Sequence, residues 1–593
     1  MLSRRTIIKG TPISGGLVLG QARVILPGDV EFAEITVPVS RVSEEIEALE
    51  QAVAQTIEEI HELLDSAGKK IGGPVAKIFD AQLLIADDEQ FLNQVKHQIR
   101  SQRRNAGFIY NSLVRSTTAP LKSSPDSYMQ QMATDIEAVA QRVLSHLSGH
   151  NKSDQKFPPH TILVGKMFTP GDILSYRKRK AIGFLVGEGG VNSHMALISR
   201  ALRLPMVMAH DVHFEIVNDA KLIIDGTSGE VIVNPSDSDW SEYQKRKKRQ
   251  GPAAITRIRK LADIPPVTAD GKVVHVGANL TLRGPADDVL SERKIPVGLY
   301  RTEFLYLANY DFPDEDYQFQ YYYQIAEKYA DTTVTFRVFD LGYDKLVADT
   351  GWPSEDNPAL GWRGMRAMLD MNHIFKTQLG AILRASVLKN VKILLPMITD
   401  VSELEQARKL ISQAKFRLRK NSVPFDEDIE VGIMIEVPSA AMTADILVRK
   451  ADFVSIGTND LAQYTLAADR TNNRVSSLYS SYHPSVLKLI RMIVEAARRH
   501  GKSISVCGEM AGDLLALPLF VGMELDLLSM NPARIFDVCR MVRKMDSSMA
   551  RHLLNSVLSS DTQQQVIHKL QTYKNELDKM KTIRRRKHGS VDT

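Results

Sequence analysis

The side chains in this sequence best suited to moving phosphoryl groups and protons are one histidine, three arginines, two carboxylates and one cysteine. His194 follows Gly189-Gly190-Val191-Asn192-Ser193, a glycine turn set between the apolar run 181–186 and a segment, 195–202, whose apolar residues recur at helical spacing. That pattern predicts Ser193 as a helix N-cap and His194 as the first helical residue. The unpaired N–H groups and positive dipole end of a helix start favour an anion and disfavour an imidazolium. His194 is thus expected to be neutral and nucleophilic near neutral pH, and better accommodated once phosphorylated. In the second half of the chain, Arg301 and Arg337 can spread charge over a transferring phosphoryl group, and Arg470 can hold a second anion such as a carboxylate. Glu436 and Asp460 are hard oxygen ligands of the kind Mg2+ takes, and Cys507 can exchange a proton with carbon.

These residues stand where elements end. Apolar runs at 273–276, 297–300, 334–339, 392–395, 431–435, 453–456, 503–506 and 525–528 alternate with helical patterns. The second of these runs ends at Arg301, the third carries Arg337 and ends at Asp340, the fifth ends at Glu436 and the seventh at Cys507. Eight strands with intervening helices over roughly 270 residues have the rhythm of a (β/α)8 barrel, whose chemistry sits at the strand C-termini. Before it, strands at 161–164, 181–186, 205–208 and 222–226 outline a compact α/β domain around His194, joined by an opening strand near Leu17. Ile46, Leu49, Val53, Ile57, Ile60 and Leu63 begin a set of helical stretches that runs to Leu147 and reads as a bundle inserted into that domain. The expected class is therefore α/β multidomain. The expected domains are residues 1–25 with 150–238, a helical bundle over 26–149, a linker over 239–265, the barrel over 266–575 and a basic tail over 576–593.

Composition narrows the function. The chain has 593 residues, 44% of them hydrophobic and 24% charged, as in ordinary water-soluble domains. No apolar run reaches the ~18 residues a membrane span requires. With two cysteines, Cys507 and Cys539, and no signal-peptide pattern at the start, a reducing cytoplasm is the expected setting. A net charge of +5 is mild, and the basic clusters 245–249 and 584–587 lack interleaved aromatics, so no nucleic-acid partner is expected.

Several segments resemble Enzyme I of the bacterial phosphotransferase system, the phosphoenolpyruvate-protein phosphotransferases. They are Gly-Leu-Tyr-Arg-Thr-Glu-Phe-Leu-Tyr at 298–306, Asn-Pro-Ala-Leu-Gly-Trp-Arg-Gly at 357–364, Gly-Ile-Met-Ile-Glu-Val-Pro at 432–438, Ser-Ile-Gly-Thr-Asn-Asp-Leu-Ala-Gln-Tyr at 455–464 and Cys-Gly-Glu-Met-Ala-Gly-Asp at 507–513. The resemblance implies a swivelling phosphohistidine domain with an inserted helical bundle, followed by a phosphoenolpyruvate-binding (β/α)8 barrel. It implies that His194 takes the phosphoryl group and that Cys507 protonates the enolate carbon to give pyruvate. Arg301, Arg337, Asn459, Asp460 and Arg470 would hold phosphoenolpyruvate, with Glu436 and Asp460 on Mg2+. The bundle would dock the phosphocarrier protein HPr or a relative, and the barrel would form a homodimer.

Three features depart from the family pattern. Asn192 stands at a position usually threonine, Tyr343 at one usually glycine, and the bundle carries Lys96, Arg100, Arg103, Arg104 and Arg115 where relatives tend to be acidic. A regulatory protein that senses phosphoenolpyruvate, or a nitrogen-type phosphorelay component, is the alternative these departures permit. Pyruvate phosphate dikinase and phosphoenolpyruvate synthase share the histidine and barrel modules but need an ATP-grasp domain, and no Gly-rich nucleotide loop precedes His194.

Overall fold

The computed structural model describes residues 4–25, 32–70, 73–124, 127–149, 157–188, 194–202, 204–210, 216–249, 252–259, 261, 265–281, 284, 286–309, 312–342, 355, 357–470, 475 and 478–588. The chain forms two compact units that divide near residue 250. Asn192 and Ser193, and the segment with Tyr343 and Lys345, lie outside the described residues. No helix among the described residues is long and apolar enough to cross a membrane.

The first unit is built on an eight-stranded sheet of β1 (Thr6–Lys9), β2 (Thr11–Ser14), β3 (Leu17–Ile25), β4 (Thr161–Gly165), β5 (Gly183–Val186), β6 (Met206–Met208), β7 (Lys221–Asp225) and β8 (Glu230–Val233). The strand order is β1-β8-β7-β3-β4-β5-β6-β2, so β1 and β2, separated by Gly10 alone, lie at opposite edges. A single residue joining the two edges requires the sheet to curl round on itself. Strands β3, β4, β5 and β6 run parallel, and β4 and β5 are buried along their whole length, which explains their unbroken apolar character. The helix His194–Ala201 follows β5, as the spacing predicts, and buries Met195, Ala196 and Ile198 against Phe168, Phe184 and Met206.

Among the described residues five α-helices run between β3 and β4, Val42–Lys70, Gly73–Ala86, Glu89–Gln102, Ala106–Lys122 and Ser127–Leu147. Leu49, Val53, Val95, Ile99, Ile109, Val114 and Val143 form their shared core, the stripe that the three-to-four spacing marks out. Ile60, Leu63 and Phe79 join the sheet's own core, so the insertion is packed onto the sheet rather than tethered to it. After β8, the helix Asp237–Arg249 lays Trp240 and Tyr243 over Leu17, Leu19, Ile223 and Ile232, and Asp239 pairs with Arg5.

The second unit is a closed barrel of eight parallel strands: β9 (Val276–Leu280), β10 (Val297–Arg301), β11 (Val334–Arg337), β12 (Val391–Leu395), β13 (Val431–Ile435), β14 (Phe453–Ile456), β15 (Ser503–Val506) and β16 (Leu527–Met530), with β16 pairing back to β9. The first strand starts later than its apolar run suggests, at Val276, so Asn279 lies within it. There its side chain donates to the Cys507 carbonyl at 2.7 Å and accepts from Ser529 Oγ at 2.7 Å, tying β9 to β15 and β16. The helix Pro252–Arg259 belongs to this unit, where Arg257 pairs with Asp537 and stacks on Phe536.

Candidate active site

At the C-terminal ends of the barrel strands, acidic and basic side chains alternate in one continuous chain, largely buried except at Arg470. Arg337, the last residue of β11, donates from Nη2 to Glu303 at 2.7 Å and lies 3.2 Å from Asp340 through Nη1. Asp340 also accepts from Arg363, at 2.7 Å from Nη2 and 3.2 Å from Nε. Arg363 reaches Asp460 Oδ2 at 3.4 Å, and Arg470 stands 3.5 Å from the other oxygen of Asp460. Burial alone would lower the pKa of Arg337, but Glu303, Asp340 and Glu436 hold it above the usual guanidinium value. Arg363 shows the same competition, with Asp340 and Asp460 as the carboxylates that win. Both guanidiniums are therefore permanently charged and fixed by their partners.

The strand ends bring the other candidates to the same rim. Glu436 follows β13 and accepts from the Met397 N–H at 2.9 Å. Asn459 and Asp460 open the helix Thr458–Leu466, and the Asn459 side chain accepts from the Glu509 N–H at 3.0 Å, which binds the loop after β14 to the loop after β15. Two glycines allow these loops to meet. A Cβ at Gly457 would lie 2.5 Å from Glu436 Oε2, and one at Gly508 would lie 1.8 Å from Thr458 Oγ1, far inside contact distance. Cys507 is buried among Leu299, Leu394, Met434 and Phe453, and this burial pushes its thiol up to about 11. It is a protonated acid at neutral pH. Arg301 ends β10 exposed, with its Cα opposite that of Arg337. Arg301, Arg337, Glu436, Asn459, Asp460, Arg470 and Cys507 thus lie on one face of the barrel, whereas His194 belongs to the other unit, at the first position of its helix.

The sequence reading did not single out Glu303, Arg363, Tyr464, Ser455 or Gln378. Glu303 and Arg363 were visible within the segments 298–306 and 357–364, as charges in otherwise apolar surroundings. Tyr464 accepts from Arg363 Nη1 at 3.0 Å and donates to the Ala359 carbonyl at 2.5 Å, so it fixes the loop that delivers that arginine. Gln378 is wholly buried, donates to Thr302 Oγ1 and Tyr322 and accepts from the Phe339 N–H, which locks the ends of β10 and β11 together.

Two polar atoms at this rim, Arg337 Nε and Thr458 Oγ1, are buried without a hydrogen-bond partner among the described residues, and a third, Asp460 Oδ1, has only the 3.5 Å ion pair with Arg470. A buried polar group left unpaired costs roughly 1–3 kcal/mol, so their gathering at one mouth marks a place where a ligand completes the bonding. Asp460 Oδ1 and the carboxylate of Glu436 form a donor set of hard oxygens. Among the described residues no group of three or more His, Cys, Asp or Glu side chains gathers that could hold a metal ion by itself.

Burial first, and then the charges of Asp460 and Asp340, push Glu436 from 4.5 up to about 8. Because the folded state holds this proton more tightly than the unfolded chain, the contribution to stability is full below the unfolded value of 4.5 and is lost as pH rises through about 8. Without metal, Glu436→Gln should melt close to the parent at about pH 5 and at a clearly higher temperature at about pH 9. Thermal melts of both proteins in chelator across that range provide the check, and parallel pH profiles would contradict the assignment.

Comparison with known proteins gives a consistent family. Three family models match in sequence order: "PEP-utilising enzyme, N-terminal" over residues 9–131, "PEP-utilising enzyme, mobile domain" over 157–229 and "PEP-utilising enzyme, PEP-binding domain" over 256–547. A phosphoenolpyruvate-protein phosphotransferase of Priestia megaterium is 37% identical over 565 residues, covering 94% of this chain and 98% of that protein. One from Staphylococcus aureus is 34% identical over 569 residues, covering 96% and 99%. A solution structure of an Enzyme I protein aligns at 28% identity with a TM-score of 0.35, over 41% of this chain and 98% of that one. The chain belongs to the phosphoenolpyruvate-protein phosphotransferase family.

Proposed function

We propose that the protein moves the phosphoryl group of phosphoenolpyruvate to His194, releases pyruvate, and passes the phosphoryl group to a small carrier protein of the HPr type. The observation that carries this reading is the pair of guanidiniums, Arg337 and Arg363, fixed at the barrel mouth with Arg337 Nε, Thr458 Oγ1 and Asp460 Oδ1 buried there without hydrogen-bond partners. In this reading Arg301, Arg337 and Arg470 hold the phosphate and carboxylate of the substrate, with Asn459 and Asp460 at its edge. Charge spread over several donors is what a loose phosphoryl-transfer transition state requires. Cys507, kept protonated by burial, gives its proton to the enolate carbon. Bound Mg2+ would be held by Glu436 and Asp460 and would neutralise phosphate charge during transfer. The chemistry requires His194 to visit the barrel mouth and then the carrier. The reading carries with it a homodimer formed through the barrel and a cytoplasmic setting, in keeping with two free, buried thiols.

Incubation with labelled phosphoenolpyruvate and Mg2+ tests it. Acid-labile label should appear on the parent, vanish in His194→Ala and fail to appear in excess EDTA. Label that survives the substitution, or full labelling in chelator, would sink the respective assignment.

The carrier should have an acidic or weakly basic docking face. Of the bundle's five noted cations, Lys96 pairs with Glu50 at 2.6 Å and Arg104 with Glu34 at 2.7 Å, whereas Arg100, Arg103 and Arg115 are exposed. Like charges across an interface slow encounter and cost affinity. Transfer to a strongly basic HPr should therefore be slow, and Arg100→Glu with Arg103→Glu should speed it, with a gain that shrinks at high salt. Carrier phosphorylation rates at two ionic strengths measure this; no response to the charge reversal would place these arginines off the docking face.

A further inference from the structure

The sulfur of Cys507 lies in the barrel interior among Leu299, Leu394, Met434 and Phe453, surroundings in which a negative charge on sulfur is costly. One polar group relieves that cost. Ser455, on β14 and wholly buried, donates from Oγ to Cys507 Sγ at 3.1 Å, the one hydrogen bond that this sulfur accepts among the described residues. The thiol in turn donates only a long bond, 3.6 Å, to the carbonyl of Ile456, which already accepts the Cys507 N–H at 3.1 Å. The two protons therefore have different freedom. The serine hydroxyl donates to sulfur at ordinary distance, whereas the thiol's own bond is long and leaves its proton able to turn toward a reacting carbon.

We propose that Ser455 is a positioning residue for the carbon-protonation step: its hydroxyl anchors the sulfur and takes up the charge left there once the proton has gone. The proposal rests on Cys507 acting as the acid. In that step the S–H bond breaks and its electron pair stays on sulfur. The enolate's π pair forms the new C–H bond, the methylene carbon becomes the methyl of pyruvate and the enolate oxygen becomes the ketone. The thiolate then recovers a proton from solvent. Ser455 keeps its own proton throughout and bonds more strongly to the thiolate than to the thiol, because charge-assisted hydrogen bonds are the stronger kind. It thus favours the state formed as the proton is transferred.

Four full-length proteins decide the matter: the parent, Ser455→Ala, Ser455→Thr and Cys507→Ala. Pyruvate formation is followed at saturating phosphoenolpyruvate with a carrier present, in H2O and D2O. Alkylation of each cysteine by iodoacetamide is read separately on its peptide by mass spectrometry. Ser455→Ala should lower kcat by about tenfold or more, the effect expected for one hydrogen bond to a charged group, with little change in KM. It should also raise the solvent isotope effect and slow alkylation of Cys507 while leaving that of Cys539 unchanged. Ser455→Thr keeps the hydroxyl and should restore both readouts. Parent-like kcat and alkylation in Ser455→Ala, or a Ser455→Thr as slow as the alanine variant, would overturn the role of Ser455 and leave Cys507 as the acid. Pyruvate formation at the parent rate by Cys507→Ala would overturn the acid itself, and the role of Ser455 with it.

Discussion

The barrel mouth depends on how charges are kept once they are removed from water. Glu303, Arg337, Asp340, Arg363, Asp460 and Arg470 alternate in sign along a chain of contacts between 2.7 and 3.5 Å, most of it buried. Taking one partner out of a buried pair costs roughly 3–5 kcal/mol, because the other charge is left without compensation. Each member therefore fixes its neighbours. The two central arginines cannot lose their protons or reorient freely, so the site presents fixed positive charge before any substrate arrives. Preorganisation of this kind is where most electrostatic catalysis comes from, since no dipole has to turn during the reaction.

Against that frame of paired charges, the carboxylate and the thiol behave differently. Glu436 is pushed up to about 8 and Cys507 up to about 11 because burial acts on both and the nearest carboxylates add to it. A carboxylate that resists ionisation is one that a dication would stabilise, and a thiol that resists ionisation is one that keeps a proton to give. Burial thereby shifts both groups at this rim toward their protonated forms. Gly457 and Gly508 keep this rim tight, as a side chain at the first would meet Glu436 after β13 and one at the second would meet Thr458 after β14.

The periodicity of the chain was enough to find the barrel, because parallel strands buried on both faces read as unbroken apolar runs and each run ends near a polar residue. The placement of Arg301, Glu436 and Cys507 was legible for the same reason, because a reactive type directly after an apolar run stands out, and Arg337 stood out as a charge inside one. Asn279 shows the limit. Its strand begins three residues later than the apolar run 273–276 suggests, so a residue that lies beyond that run is an interior cross-link. Arg363 and Gln378 were hidden because they reach the site from a loop and a helix, where sequence spacing carries no register. Ser455 was hidden because a serine inside a strand has no distinctive pattern until the neighbouring strand supplies its sulfur. The linker reading changes too: Trp240 and Tyr243 give the basic helix an apolar face that mean polarity conceals.

The sheet around His194 also has a timetable. Strand β1 pairs with β8, Thr6 with Val233 and Lys9 with Glu230, so this sheet's first strand in chain order is completed by its last. The roughly 220 residues between them take about 10–45 s to synthesise at ordinary rates. The inserted bundle emerges whole during that interval and has its own core to collapse around. The edge strand β1 therefore stays without its ladder partner until the whole inserted bundle has been synthesised.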